Sequence, residues 1–117
     1  MTSTPADVLA RFGHALSDPT RARLLLALRE GPGYPAELAG TLGVSRQSLS
    51  NHLACLRGCG LVVSEPEGRR VRYELADPRL RHALDDLVGV VLAVQEALCA
   101  DPAEGTAAEA AAREVTP

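Results

Sequence analysis

The 117-residue chain contains no lysine and no tryptophan; its 12 fixed cations are all arginine. Arginine forks suit bidentate contacts to phosphates and bases, but lysine is missing from the whole chain, which reads first as genome composition. Aromatic residues are almost absent, two Tyr and one Phe, so the core must come from Leu, Val and Ala. No run of about 18 apolar residues occurs, which argues against a membrane-spanning helix and a membrane partner. The longest apolar stretch, Leu87 to Val94, is too short. The opening "MTSTPADVLARFG" lacks a basic segment followed by an apolar one, so no signal peptide is expected and the cytoplasm is the expected location. There is no Ser/His/Asp or Cys/His grouping and no phosphate-binding loop, and the carboxylates are scattered; an enzyme is not expected. Three cysteines in a cytoplasmic protein point to free thiols, metal or redox chemistry sooner than to a disulfide framework.

What is present fits one globular domain, since 46% of the residues are hydrophobic. The net charge of −3 argues at first against nucleic acid, but the charges are unevenly placed. Residues 1–81 carry eleven Arg against eight Asp and Glu, and residues 82–117 carry one Arg against seven. The first part is therefore +3 and the second −6.

The apolar spacing predicts a helix from Pro5 through Leu16 on the stripe Val8, Leu9, Phe12, Ala15 and Leu16. A second helix starts at Ser17 or Asp18, with Pro19 in its first turn and Gly31 beyond its end. "GYPAELAGTLG" reads as a short third helix closed by Gly43. A fourth begins at the N-cap Ser45 and buries Leu49, Leu53 and Leu56. Two β-rich runs, Leu61–Ser64 and Val71–Leu75, flank "EPEGRR" and predict a hairpin turning near Glu67-Gly68. After Asp77-Pro78 a long helix carries Leu80, Leu84, Leu87, Val91, Val94 and Leu98 in a 4-3-4-3-4 spacing, a heptad-like seam suited to a dimer interface. Residues 1–99 are thus expected to form one domain, and the Ala/Glu-rich residues 100–117 a flexible C-terminal tail.

A helix, a tight turn at "LGVS", a second helix and an Arg-tipped hairpin make the order of a winged helix-turn-helix, a mainly α fold with a small β-hairpin. Ser45, Arg46, Gln47, Ser48, Ser50, Asn51 and His52, at or near the start of the fourth helix, are candidates to read base edges in the major groove. Arg69, Arg70 and Arg72 on the hairpin suit phosphates or the minor groove. The expected partner is double-stranded operator DNA.

The segments "ALSDPTRARLLLALREG", "ELAGTLGVSRQSLSNHLACLRGCGLV" and "EGRRVRYEL" resemble the ArsR/SmtB family of metal-responsive repressors across residues 7–98. That resemblance implies a homodimer built through its first and last helices, which holds operator DNA until metal weakens the grip. One family site needs a Cys-x-Cys pair before the reading helix, and "YPAELAG" has none. Another pairs Asp/His with His/Glu on the last helix; His82 lies there, but Gln95 and Glu96 do not complete the pattern. His82 reads as a surface residue and His14 as a partly buried one. "CLRGC" together with a cysteine at the end of the last helix resembles the cadmium- and lead-sensing branch, whose pattern falls on Cys55, Cys59 and Cys99.

The chemistry of those residues agrees. Cysteines at i and i+4 share a helix face, and three thiolates favour soft ions such as Cd²⁺ and Pb²⁺. Zn²⁺ would want a fourth ligand, and As(III) is a close variant as inducer. Gly58 between the two cysteines weakens the helix and Gly60 offers a C-cap, so Cys59 is expected in a frayed last turn, which either helps a metal reshape the helix end or leaves no preformed site. Alternatives stay open: a thiol-redox or persulfide-responsive repressor of the same fold, or a protein-binding module using the apolar last helix.

Overall fold

The computed structural model describes residues 4–99, with Cys99 described by its backbone alone. The tail 100–117 and the Cys99 side chain therefore lie outside the described residues. Five helices and a hairpin follow in order: α1 (Pro5–Leu16), α2 (Pro19–Arg29), α3 (Pro35–Leu42), α4 (Arg46–Gly58), β1 (Val62–Glu67), β2 (Arg70–Leu75) and α5 (Pro78–Cys99). They form two compact units, one through His82 and one from Ala83 onward. No helix among the described residues is long and apolar enough to cross a membrane.

Each helix of the first unit starts on a local signal. Thr4 caps α1 in a reciprocal capping box with Asp7. The Asp18 carboxylate accepts from the Thr20 and Arg21 backbone N–H groups at 2.8 and 3.1 Å, and Pro19 occupies the first position of α2. Ser45 Oγ accepts from Ser48 N–H at 3.0 Å, so the expected cap of α4 is in place. Gly43 closes α3 with left-handed φ 69°.

The core of this unit is aliphatic, as the near-absence of aromatics requires. Leu24, Leu25 and Leu28 of α2, Leu49, Leu53 and Leu56 of α4, and Val62 of β1 are almost wholly buried. Each such side chain contributes about 1.5–3 kcal/mol by leaving water. The predicted Leu49–Leu53–Leu56 stripe is thus the face that anchors α4. The α1 stripe is only partly covered: Ala15 is buried, whereas Val8 and Leu9 are half exposed or more.

The hairpin is longer than its apolar runs suggested. Strands extend to Glu67 and from Arg70, leaving Gly68-Arg69 as a two-residue turn, with Gly68 at φ 64°. Its register sets Glu65 opposite Arg72 and Glu67 opposite Arg70. Arg72 pairs across the strands with Glu65 and diagonally with Glu67, at 3.3 Å each, and cross-strand pairs of opposite charge each stabilise a sheet by roughly 0.2–1 kcal/mol, which explains why charged residues read as a loop extend the strands. An added edge comes from Gly33, whose N–H donates to Tyr73 O at 2.9 Å while Tyr73 N–H donates back at 2.8 Å. Gly33 fits because a Cβ there would meet Leu38 at 3.0 Å.

In the second unit the remainder of α5 leaves Leu87, Val90, Val91, Leu92 and Val94 between 43 and 61% exposed. Of the predicted seam, Leu87, Val91 and Val94 are thus exposed, whereas Leu84 is buried and Leu80 and Leu98 are half-buried.

Candidate nucleic-acid interface and thiol pair

With its leucine stripe buried, α4 turns Arg46, Gln47, Ser50 and Asn51 outward. Gln47 Nε2 donates to Asn51 Oδ1 at 3.1 Å, one helical turn along, so the two amides form a preset pair on the exposed face. Ser48 is half-buried, and Ser45 spends its hydroxyl on the helix cap. His52 departs from the exposed set, with its side chain only 18% exposed. Arg21 Nη1 lies 3.5 Å from His52 Nδ1, and Asp18 Oδ1 lies 4.0 Å from His52 Nε2. A guanidinium can only donate, so this approach requires the tautomer with its proton on Nε2. The physical reason for the departure is the angular position of His52, beside the buried stripe rather than opposite it.

Arg21 also donates from Nε to Ala15 O at 2.9 Å and from Nη2 to His14 O at 3.1 Å. One guanidinium thus satisfies Ala15 O, joins the Ser17 N–H and hydroxyl on His14 O, and reaches the flank of α4. The Asp18 carboxyl is held below its ordinary range, first by the Arg21 backbone N–H.

The wing arginines differ from one another. Arg69 is exposed in the turn. Arg70 pairs with Glu37 of α3, and its guanidinium carbon stacks 3.5 Å from the centroid of the Tyr34 ring. Arg72 is two-thirds covered and pairs with Glu65 and Glu67 at 3.3 Å each, and with Glu74 at 4.0 Å. Its buried Nε has no hydrogen-bond partner among the described residues. Tyr34 donates its hydroxyl to Glu67 Oε1 at 2.6 Å, which pins the wing to the start of α3 and raises the phenol pKa above its usual value. A cleft of about 390 Å³ opens between the start of α3, α4 and the wing, and Arg46, Ser50, Arg69 and Arg70 line it. Arg57, which sequence reasoning passed over, is exposed in the last turn of α4 and donates to Ser64 Oγ of β1 at 3.2 Å. Its spacing from Ser50, seven residues, was the available signal.

One and two turns beyond Asn51 along α4 lie Cys55 and Cys59, both half-buried and both free thiols. Cys59 is the C-cap of the helix, and the end is ordered, not frayed. Gly60 N–H donates to Arg57 O, and Leu61 N–H to Leu56 O, each at 3.0 Å. That paired pattern with Gly60 at φ 78° is a Schellman ending. Cys59 N–H donates to Cys55 O at 3.0 Å, so the two residues are locked one turn apart. Burial pushes the Cys59 thiol up first, and Cys55 adds to this through its charge and a side-chain hydrogen bond; Arg11 and Arg21 pull the other way. Two adjacent sulfurs on an ordered turn fit a soft metal ion as two of its ligands. The described residues hold no group of three or more His, Cys, Asp or Glu able to bind a metal, and the Cys99 side chain lies outside them.

Residues 18–64, from the cap of α2 into β1, match the arsR family of bacterial regulatory proteins. Over 86 residues, 74% of this chain and 73% of the relative, the sequence is 63% identical to the HTH-type transcriptional regulator CmtR of Mycobacterium tuberculosis. The structure is similar to the NMR structure of the cadmium metal-sensor CMTR from Mycobacterium tuberculosis, at 61% identity and TM-score 0.61, covering 70% of this chain and 85% of that one. It is also similar to the homodimeric winged helix-turn-helix DNA-binding domain of a Mycobacterium bovis protein, at 30% identity and TM-score 0.70, covering 83% and 87%. The fold is a winged helix-turn-helix, and the relatives are regulators, not enzymes. The helix-turn-helix span and an identity of 63% over most of both chains lead to one conclusion: the protein belongs to the arsR family of bacterial regulatory proteins.

Proposed function

We propose that the protein is a metal-responsive transcriptional repressor that binds operator DNA as a homodimer and lets go when a soft metal ion occupies Cys55, Cys59 and Cys99. The observation that carries this reading is the division of α4. Its first turns present Arg46, Gln47, Ser50 and Asn51 outward, and its end holds the Cys55–Cys59 pair. A change at the thiols therefore acts on the element that would read DNA. The 61% identical relative is a cadmium sensor, which supports Cd²⁺ as inducer. Pb²⁺ shares the preference for thiolates at low coordination number, and Zn²⁺ and As(III) rank below them.

Gln47 and Asn51 would contact base edges, and Arg46 and the wing arginines the phosphates. The uncovered apolar residues of α1 and α5 would be buried in the homodimer, a state for which the Mycobacterium bovis neighbour is a precedent. In the sensing step Cys55 and Cys59 would give up their protons to solvent and hold the ion as thiolates, with Cys99 as the third ligand. What a soft ion supplies is a pair of strong sulfur bonds that fix the last turn of α4. The coupling needed is modest, since about 1–3 kcal/mol changes DNA affinity 5- to 150-fold. The test is to titrate reduced protein with Cd²⁺, Pb²⁺, Zn²⁺ and arsenite while following thiolate-to-metal absorption and operator binding together. A thiolate band that grows with Cd²⁺ as DNA is released supports the reading. DNA binding indifferent to every ion overturns it.

A further inference from the structure

The cleft between α3, α4 and the wing carries three arginines in unequal states. Arg46 and Arg69 line it, and no carboxylate among the described residues pairs with either. Arg70 lines it too, yet its guanidinium is already engaged by the Glu37 carboxylate and the Tyr34 ring. Glu67 sits directly opposite Arg70 in the hairpin, but its carboxylate is taken by the Tyr34 hydroxyl and by Arg72. Glu65 and Glu74 likewise serve Arg72. Among the described residues, Glu37 alone neutralises Arg70. Its side chain is 67% exposed, and the Arg70 side chain is 52% exposed, so the pair can open without disturbing the core.

We propose that Glu37 competes with DNA phosphate for Arg70, and so sets how tightly and how salt-dependently the protein holds any duplex. The carboxylate occupies the guanidinium fork that a phosphate would use. A backbone phosphate entering the cleft meets Arg46 and Arg69 first, and gains Arg70 only when Glu37 gives it up. Tyr34 keeps the freed guanidinium in place by stacking, so the exchange changes the partner and not the position. The released carboxylate takes up a counterion, which offsets one of those the phosphate sheds. The wild-type protein therefore shows a shallower salt dependence than its arginine count implies. This inference rests on the DNA-binding reading above.

The test uses four full-length proteins: wild type, Glu37→Gln, Arg70→Ala and the double variant. Affinity for a palindromic duplex and for a random duplex is measured across salt concentrations. Glu37→Gln is expected to tighten both duplexes equally by about 2- to 5-fold, the span of an exposed ion pair. It should also steepen the slope of log affinity against log salt by about one unit, the equivalent of one more phosphate contact. Arg70→Ala should weaken both duplexes and flatten the slope, and in that background Glu37→Gln should change nothing. Unaltered binding by Glu37→Gln overturns the proposal while leaving DNA binding intact. A gain that persists without Arg70 also overturns it, because Glu37 would then act as a plain repelling charge. If none of the four proteins binds either duplex, the underlying reading falls and the proposal with it.

Discussion

Arg21 Nη1 and His52 Nδ1 meet at 3.5 Å, joining α2 to the flank of the reading helix. The same guanidinium closes two carbonyls at the end of α1. Arg21→Met keeps the stem and removes every donor. His14 O keeps the Ser17 N–H and hydroxyl, whereas the part-buried Ala15 carbonyl loses its donor, and leaving such a carbonyl unpaired costs about 1–3 kcal/mol. Urea unfolding should show that loss, with an unchanged slope. A midpoint equal to wild type would mean that water replaces the guanidinium at no cost.

The outward amides carry a second expectation. Gln47→Ala or Asn51→Ala should relax sequence preference by roughly 1–3 kcal/mol for each base edge that is no longer read. Arg70→Ala, by contrast, should weaken binding to all sequences. A binding-site selection on each variant separates the two effects. A preference unchanged in both amide variants would assign base reading to other residues.

Cysteine replacement addresses sensing directly. Cys55→Ser and Cys59→Ser are expected to abolish tight Cd²⁺ binding with operator binding by the metal-free protein nearly intact. Cys99→Ser should have a milder effect. Mixed dimers then locate the third thiol. Pairing a Cys55→Ser/Cys59→Ser subunit with a Cys99→Ser subunit gives one complete three-sulfur site per dimer if Cys99 serves the partner's pair, the outcome we expect. An intrachain set gives none.

The Cys59 thiol should also be slow to react before any metal is added. Burial and the neighbouring Cys55 hold the Cys59 pKa above the ordinary thiol value, and only the thiolate alkylates. Cys59 is expected to react with iodoacetamide more slowly than a free thiol at pH 7, and faster as the pH climbs past 9. Mass spectrometry of peptides from timed reactions reads this. Fast labelling of Cys59 at neutral pH would contradict the shielding described above.

Acid stability offers a last measurement. Arg79 donates to both Asp77 carboxylate oxygens from its guanidinium and to Oδ1 from its backbone N–H, holding that carboxyl at about 2 against an ordinary 3.8. A depressed folded-state value means that the native protein binds fewer protons than the unfolded chain between these limits. Its contribution is complete above about pH 4 and fades as the pH falls toward 2. Asp77→Asn should remove that acid dependence and should lower stability at neutral pH, where the charged carboxylate makes its full contribution. An NMR titration of Asp77 with a midpoint near 4 would refute the assignment.

Much of this was legible in the sequence because the signals are local. Ser45, the leucine stripe and Gly60 specify α4 within sixteen residues, and Cys55 and Cys59 follow from the same helical spacing. The wing was less legible. Glu65, Glu67 and Arg70 read as a charged loop between two strands, and their cross-strand register becomes visible only once the hairpin closes. Tyr34 and Glu37 lie more than thirty residues from Arg70 in the chain, so no spacing rule joins them. His52 was read with the exposed residues because a few tens of degrees of helix rotation separate a groove-facing side chain from one turned to a neighbour.

The Schellman ending of α4 has a mechanical meaning. Between the last helical residue, Gly58, and the first strand residue, Val62, the chain has three residues. All three of their N–H groups are bonded back into the helix, at Cys55, Arg57 and Leu56, and Val62 is buried. A connector so short and so fully bonded behaves as a weld and not a hinge. The wing travels wherever the helix travels, at fixed reach, so the two parts of the molecule cannot be tuned separately by sliding one against the other. A pull at Cys59 is felt at the tip of the hairpin as rotation of a single stiff lever.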